Sequence, residues 1–111
     1  MAISNVGSGT QTCTLDTVHT LNTETVFGIY QCYWNLTNLA KGDVIRCFVQ
    51  SKVLTGDTEG IIFEGIYAND LLSSYIICSP PFVSEFSCSQ RVEQTDGTGR
   101  DVPWAMFRLD G

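Results

Sequence analysis

The chain has 111 residues, 43% hydrophobic and 16% charged, a balance that excludes a disordered tail. That length suits one domain spanning residues 1–111, whose folding hides roughly two-thirds of the unfolded chain's surface. Six basic against twelve acidic side chains leave a net charge of −6, which repels phosphates and anionic headgroups, so neither nucleic acid nor a membrane is an expected partner.

The first residues, Met1-Ala2-Ile3-Ser4-Asn5, lack the basic and apolar regions of a secretory signal. No apolar run approaches the roughly 18 residues of a membrane span. The expectation is a soluble protein made in a cytoplasm. Residues 4–14 are rich in Ser, Gly and Thr and fit either an N-terminal arm (residues 1–10) or an edge strand. Beyond them the hydrophobic period is two almost everywhere, and strands are expected over 11–18, 25–36, 44–54, 61–68, 75–79, 84–94 and 102–109. A short piece near residue 3 is left open as an eighth.

Residues 26–36 are apolar on both faces, with Val26, Tyr30, Cys32, Trp34 and Leu36 against Phe27, Ile29 and Tyr33. Such a strand is either covered on both sides or pressed on a partner. Residues 44–54 put Ile45, Cys47, Val49 and Val53 on one face. Residues 61–68 put Ile61, Phe63 and Tyr67 opposite Ile62, Ile66 and Ala68. Between Glu85 and Glu93, Phe86, Cys88 and Val92 alternate with polar side chains, as one wet face requires. Lys41-Gly42-Asp43, Thr55–Gly60 and Thr95–Arg100 read as turns, the last two as hairpin loops. Asn69–Ser74 fits one helical turn or an Ω-like loop, and Pro80-Pro81 closes the segment before it. The fold class is all-β: a single antiparallel β-sandwich or jelly roll of about seven to eight strands, with a closed barrel as competitor.

Chemistry is sparse. His19, the one imidazole, has Asp16 three residues before it, but no strained nucleophile turn accompanies them, and a loop histidine is the simpler reading. Asp57 with Glu59, and Asp96 with Asp101, lack the spacing of a calcium loop and read as solvated turns. Glu64 and Glu85 are a pair for glycoside hydrolysis only in the sense that any two strand acids are. Gly97-Thr98-Gly99-Arg100 lacks the spacing of a phosphate loop. Cys13, Cys32, Cys47, Cys78 and Cys88 show no C-x-x-C pair and read as reduced, near-core thiols. No catalytic, cofactor-binding or metal residue is assigned. Tyr30, Tyr33, Trp34, Phe63, Tyr67, Phe82, Phe86, Trp104 and Phe107 exceed what one small core must hold, and a surplus aromatic on the surface suits an interface or a sugar.

The run Gln94-Thr95-Asp96-Gly97-Thr98-Gly99-Arg100-Asp101-Val102-Pro103-Trp104 resembles the Q-T-x-G-T-G-R-x-(F/V)-x-W ending of small β-rich proteins encoded in tailed-phage structural gene regions. Thr23-Glu24-Thr25 and Lys52-Val53-Leu54-Thr55-Gly56 are similar to that group as well. The resemblance spans roughly residues 15–109, with its specific words at 52–56 and 94–104. It implies a non-enzymatic bacteriophage virion protein of the capsid-decoration or cement type. Such a protein is made in the host cytoplasm, binds the major capsid protein at the capsid surface, and forms a dimer or trimer. No binding residue carries over from the group. Five cysteines and the acidic Asp96 and Asp101 depart from its pattern. The alternative is a glycan- or host-surface-binding module of a phage head or tail fibre, and a small hydrolase is the third reading.

Overall fold

The computed structural model describes residues 2–69 and 75–110. Nine strands follow in chain order: β1 (Ala2–Thr12), β2 (Val18–Glu24), β3 (Gly28–Asn35), β4 (Val44–Ser51), β5 (Gly60–Ala68), β6 (Ile76–Cys78), β7 (Phe82–Ser84), β8 (Cys88–Asp96) and β9 (Asp101–Asp110). They form two antiparallel sheets. The first runs β1-β9-β3-β6, with β7 also on β3, and the second runs β2-β8-β4-β5. The chain is a β-sandwich and not a closed barrel.

The pairings are nested: β1 with β9, β2 with β8, β3 with β6 and β7, and β4 with β5. A long hairpin rolled up in this way gives the eight strand positions of a jelly roll, with β6 and β7 sharing one position. The split between them has a simple cause. Pro80-Pro81 supply no N–H to a ladder, so Ser79 bridges the gap instead. Its N–H donates to Cys32 O at 2.9 Å and its Oγ accepts from Cys32 N at 3.0 Å.

Several expected boundaries move. The expected strand over 11–18 contains a turn. β1 ends at Thr12, Asp16 sits at φ +59°, and β2 starts at Val18. The stretch for which an arm or an edge strand was open forms the edge strand β1, paired with β9 from Ala2 to Thr12. The expected strand over 84–94 divides into β7 and β8. Thr55–Gly60 joins the neighbours β4 and β5 as expected, but Thr95–Arg100 does not make a hairpin. It carries the chain from β8 in one sheet to β9 in the other. Asn69 ends the first described segment, and the expected helical turn or loop over Asn69–Ser74 otherwise lies outside the described residues.

The core lies between the sheets. Tyr30, Cys32, Trp34, Val102 and Met106 of the first sheet face Ile45, Cys47, Val49, Cys88 and Val92 of the second. Trp34 stacks on Phe63 and Tyr30 on Phe82, each with centroids 6.0 Å apart. Polar links also cross the core. Trp34 Nε1 donates to Arg91 O at 3.2 Å, and Gln90 Nε2 donates to Tyr33 O at 2.9 Å. Burial without such partners would cost each group about 1–3 kcal/mol. Gln90 Nε2 thus helps to hold the sheets together, while its buried Oε1 has no partner among the described residues.

Candidate functional site

Most of the groups that sequence spacing singled out are spent on structure. His19 lies on β2, not in a loop, and its Nε2 accepts the Thr14 N–H at 3.0 Å, bracing the β1–β2 turn. Asp57 accepts the Leu54 N–H at 2.9 Å within the β4–β5 loop. Glu59 accepts from Ser87 and Ser89 on the neighbouring segment, with Arg91 Nη2 at 3.7 Å. Asp101 accepts the Thr12 hydroxyl at 2.7 Å, while Asp96 is exposed at the end of β8. Glu64 pairs with Arg46 at 2.6 Å, and Glu85 lies in the β7–β8 connection. Among the described residues no three His, Cys, Asp or Glu side chains come together as metal ligands. All five cysteines are unpaired. Burial pushes Cys13 and Cys88 up to about 11, and raises Cys32 and Cys47 further, so these four are poor nucleophiles.

Gly97-Thr98-Gly99-Arg100 is a lock between the two sheets. Asp43, buried in the β3–β4 connection, accepts from Ala40 N at 2.7 Å, Thr98 N at 3.1 Å and Arg100 Nε at 2.7 Å. Burial alone would raise its carboxyl. The backbone N–H of Ala40, the Arg100 guanidinium and the Thr98 N–H outweigh that and hold it below the usual carboxylate range. Gln94 completes the lock. Its Nε2 donates to Thr98 O and Asp96 O, and its Oε1 accepts the Arg100 N–H. Every polar arm of this network points at the protein itself. The distinctive run at 94–100 therefore builds a crossover rather than a ligand cradle.

The outer face of the first sheet carries an uncharged outward row. Along β3, Tyr30, Cys32 and Trp34 point inward, while Ile29, Gln31, Tyr33 and Asn35 point outward. The register carries this face onto β9, where Leu109, Phe107 and Ala105 stand opposite Ile29, Gln31 and Tyr33. It extends through Ile3 beside Leu109 on β1, Val83 beside Ile29 on β7, and Cys78 and Ile76 beside Tyr33 and Asn35 on β6. From Pro103 to Leu109 no outward position carries a charge; Asp101, bound by Thr12, marks the far end.

The outward polar side chains of β3 are partnered, whereas Asn5, Ser8 and Thr10 of β1 stand exposed on the same face. Gln31 Nε2 donates to Ser79 O at 2.9 Å, and the Tyr33 hydroxyl donates to Gln31 Oε1 at 3.3 Å. Asn35 Oδ1 accepts from the Thr37 N–H and hydroxyl. Tyr33 and Phe107 meet edge to face with centroids 5.6 Å apart. Tyr33, Asn35, Ile76, Pro103 and Trp104 line a shallow hollow of about 290 Å³ at one end. A partner can cover Gln31 and Tyr33 without stranding their hydrogen-bond donors.

The opposite outer face is built differently. Arg46 lies over the Phe48 ring at 3.9 Å and bridges Glu64 and Glu93 at 2.6 and 3.2 Å. Phe48 is thereby covered within its own molecule. The signal for the open face was present in the sequence as the two apolar faces of residues 26–36, but its continuation onto β9, β6 and β7 depends on long-range register. The chain matches no protein-family model, no curated protein and no solved structure.

Proposed function

We propose that this chain is a non-enzymatic docking module. Its uncharged outer sheet seats on the major capsid protein of a tailed-phage shell, which it decorates or cements at the capsid surface. The observation that carries the reading is the outward row Ile29, Tyr33, Ala105, Phe107 and Leu109, which holds no charged residue. It is flanked by Ile3, Ile76 and Val83, and charge enters only at its margins, with Arg108 beside Ile3 and Lys52 and Glu85 beside Val83. Four strand positions at about 4.8 Å and seven residues at about 3.4 Å give a plan of roughly 19 × 24 Å, about 450 Å². That is about the size of the largest patch on a typical monomer, and such patches are often functional. The jelly-roll winding suits a shell component, although the fold alone assigns no function.

Particles stripped of this protein should open at a lower temperature, and purified protein should restore resistance. Ile29→Lys or Val83→Lys should abolish that rebinding while leaving the fold intact, because both side chains are exposed. Wild-type protein that fails to bind stripped shells would sink the reading.

A second reading has its own observation. The hollow beside Tyr33 and Trp104 sets aromatic rings next to the Asn35 amide, a combination suited to stacking on a sugar. Binding on a glycan array that is lost in Tyr33→Ala would favour a host-surface module over the capsid role.

A further inference from the structure

We propose that β5 pairs with β5 of a second copy of this chain, joining two sandwiches edge to edge into a two-fold dimer. This goes beyond the docking face and does not depend on it.

The four sheet edges differ in how they are finished. The β6/β7 edge is interrupted at Pro80-Pro81. At the β1 and β2 edges the two strands lie close across the sandwich. The Asn22 side chain there is so near Gly7 that a Cβ on the glycine would come within 2.7 Å of Asn22 Nδ2. β5 runs nine residues, contains no Pro or Lys, and among the described residues has β4 as its one neighbour. Natural sheets blunt long free edges with prolines, charges, bulges or a covering segment, and of these β5 has one charge, Glu64, and one bulge, at Ile62. Around them the edge presents Ile61, Ile62 and Ile66, at 47%, 49% and 67% exposure. The slip between Val49 and Gln50 leaves Ile62 unpaired and turns it, like Ile61, to solvent.

The pattern is self-complementary in one antiparallel register. A two-fold axis through Glu64 sets Ile62 opposite Ile66 of the second copy, and Ile66 opposite its Ile62. Two aliphatic cross-strand pairs then flank the centre. Moving the axis to Phe63 would set Ile62 against a glutamate, and moving it to Gly65 would set Ile66 against one. At the centre the two Glu64 carboxylates face each other, and each is already held by its own Arg46 at 2.6 Å. Each Arg46 is shared with Glu93, so the centre of the strip keeps some like-charge repulsion, and the flanking aliphatic pairs must outweigh it. The axis stands perpendicular to the joined eight-stranded sheet. Both copies consequently keep their uncharged docking faces on one side, so a dimer can engage a flat surface at two points.

Sedimentation velocity of the full chain over a micromolar concentration series tests this directly. A reversible species of twice 12.2 kDa is expected. Ile66→Lys and, separately, Ile62→Lys should each weaken the dimer about tenfold or more, since charge on an edge opposes pairing. Glu64→Gln removes the facing like charges but keeps an acceptor for Arg46, and should tighten the dimer severalfold. Ile29→Lys, on the far sheet, should leave it unchanged. A chain that stays monomeric throughout overturns the proposal. So does a dimer lost in Ile29→Lys but kept in Ile66→Lys, or one loosened by Glu64→Gln. None of these outcomes depends on binding to shells.

Discussion

Asp43 shows how one buried acid can hold two sheets in register. It accepts three hydrogen bonds, one from a guanidinium, and only 1% of its surface is exposed. Asp43→Ala would strand the Ala40 and Thr98 N–H groups and Arg100. A loss of about 3 kcal/mol is expected, or a melting point lower by roughly 12 °C at this chain length. Its carboxyl titrates below the ordinary 3.8 when folded. Its stabilisation is therefore complete above pH 4 and disappears as pH falls through the depressed folded value. Melting curves between pH 6 and 2 should fall more steeply for wild type than for Asp43→Asn.

The neighbouring glycines are required for two different reasons. Gly97 sits at φ +88°, and a Cβ there would also press on Asp43. Gly99 has no positive φ, but its Cβ would come within 2.3 Å of the Cys13 carbonyl oxygen. Gly99→Ala should hence destabilise nearly as much as Gly99→Val, while Gly97→Val adds left-handed strain of roughly 1–2 kcal/mol to its clash. Thermal melts of the three variants check this. If all three melt like the parent, the close packing of this crossover is wrong.

At the scale of strands, alternation was legible wherever one face is wet. β4 and β8 follow the expected pattern, Cys47 and Cys88 included, and the core side of β3 is as expected. What alternation cannot express is which strand is the neighbour. Thr95–Arg100 has the composition of a hairpin turn, yet the lock of Asp43 and Gln94, set by residues far apart in sequence, sends it across the sandwich. Val53 falls in step with Ile45, Cys47 and Val49, but β4 ends at Ser51 and leaves it exposed. His19 departs from the loop reading because its bond from the Thr14 N–H, which braces a turn, leaves no trace in local pattern. Strand geometry also sorts the five thiols. Cys32, Cys47 and Cys88 point inward, Cys13 is covered beneath the Gly99 crossover, and Cys78 points outward on β6. Alkylation of the native protein without reductant should modify one thiol, Cys78, and alkylation in denaturant should modify all five. A protected pair in denaturant would mean a disulfide that this packing does not contain.

The whole molecule is electrically lopsided. Arg46, Glu64, Glu93, Arg91 and Glu59 engage one another on and beside the outer face of the second sheet, while the outer face of the first carries none between Pro103 and Leu109. A partner that covers the first sheet therefore gains buried apolar area and few ion pairs, and that gain is not screened by salt. Raising salt from 0.1 to 1 M shortens the Debye length from about 10 to about 3 Å. If the uncharged face makes the contact, occupancy of stripped shells should change by less than about threefold across that range, because exposed ion pairs are weakened by salt and buried apolar area is not. In the Ile66→Lys background, where edge pairing is already weakened, adding Arg46→Ala should leave occupancy nearly unchanged, since Arg46 lies on the other sheet. A steep fall of occupancy with salt, or a further loss on adding Arg46→Ala to that background, would transfer the contact to the charged sheet. Val83→Lys distinguishes the two directly, because it places a charge on the first sheet without touching any ion pair of the second.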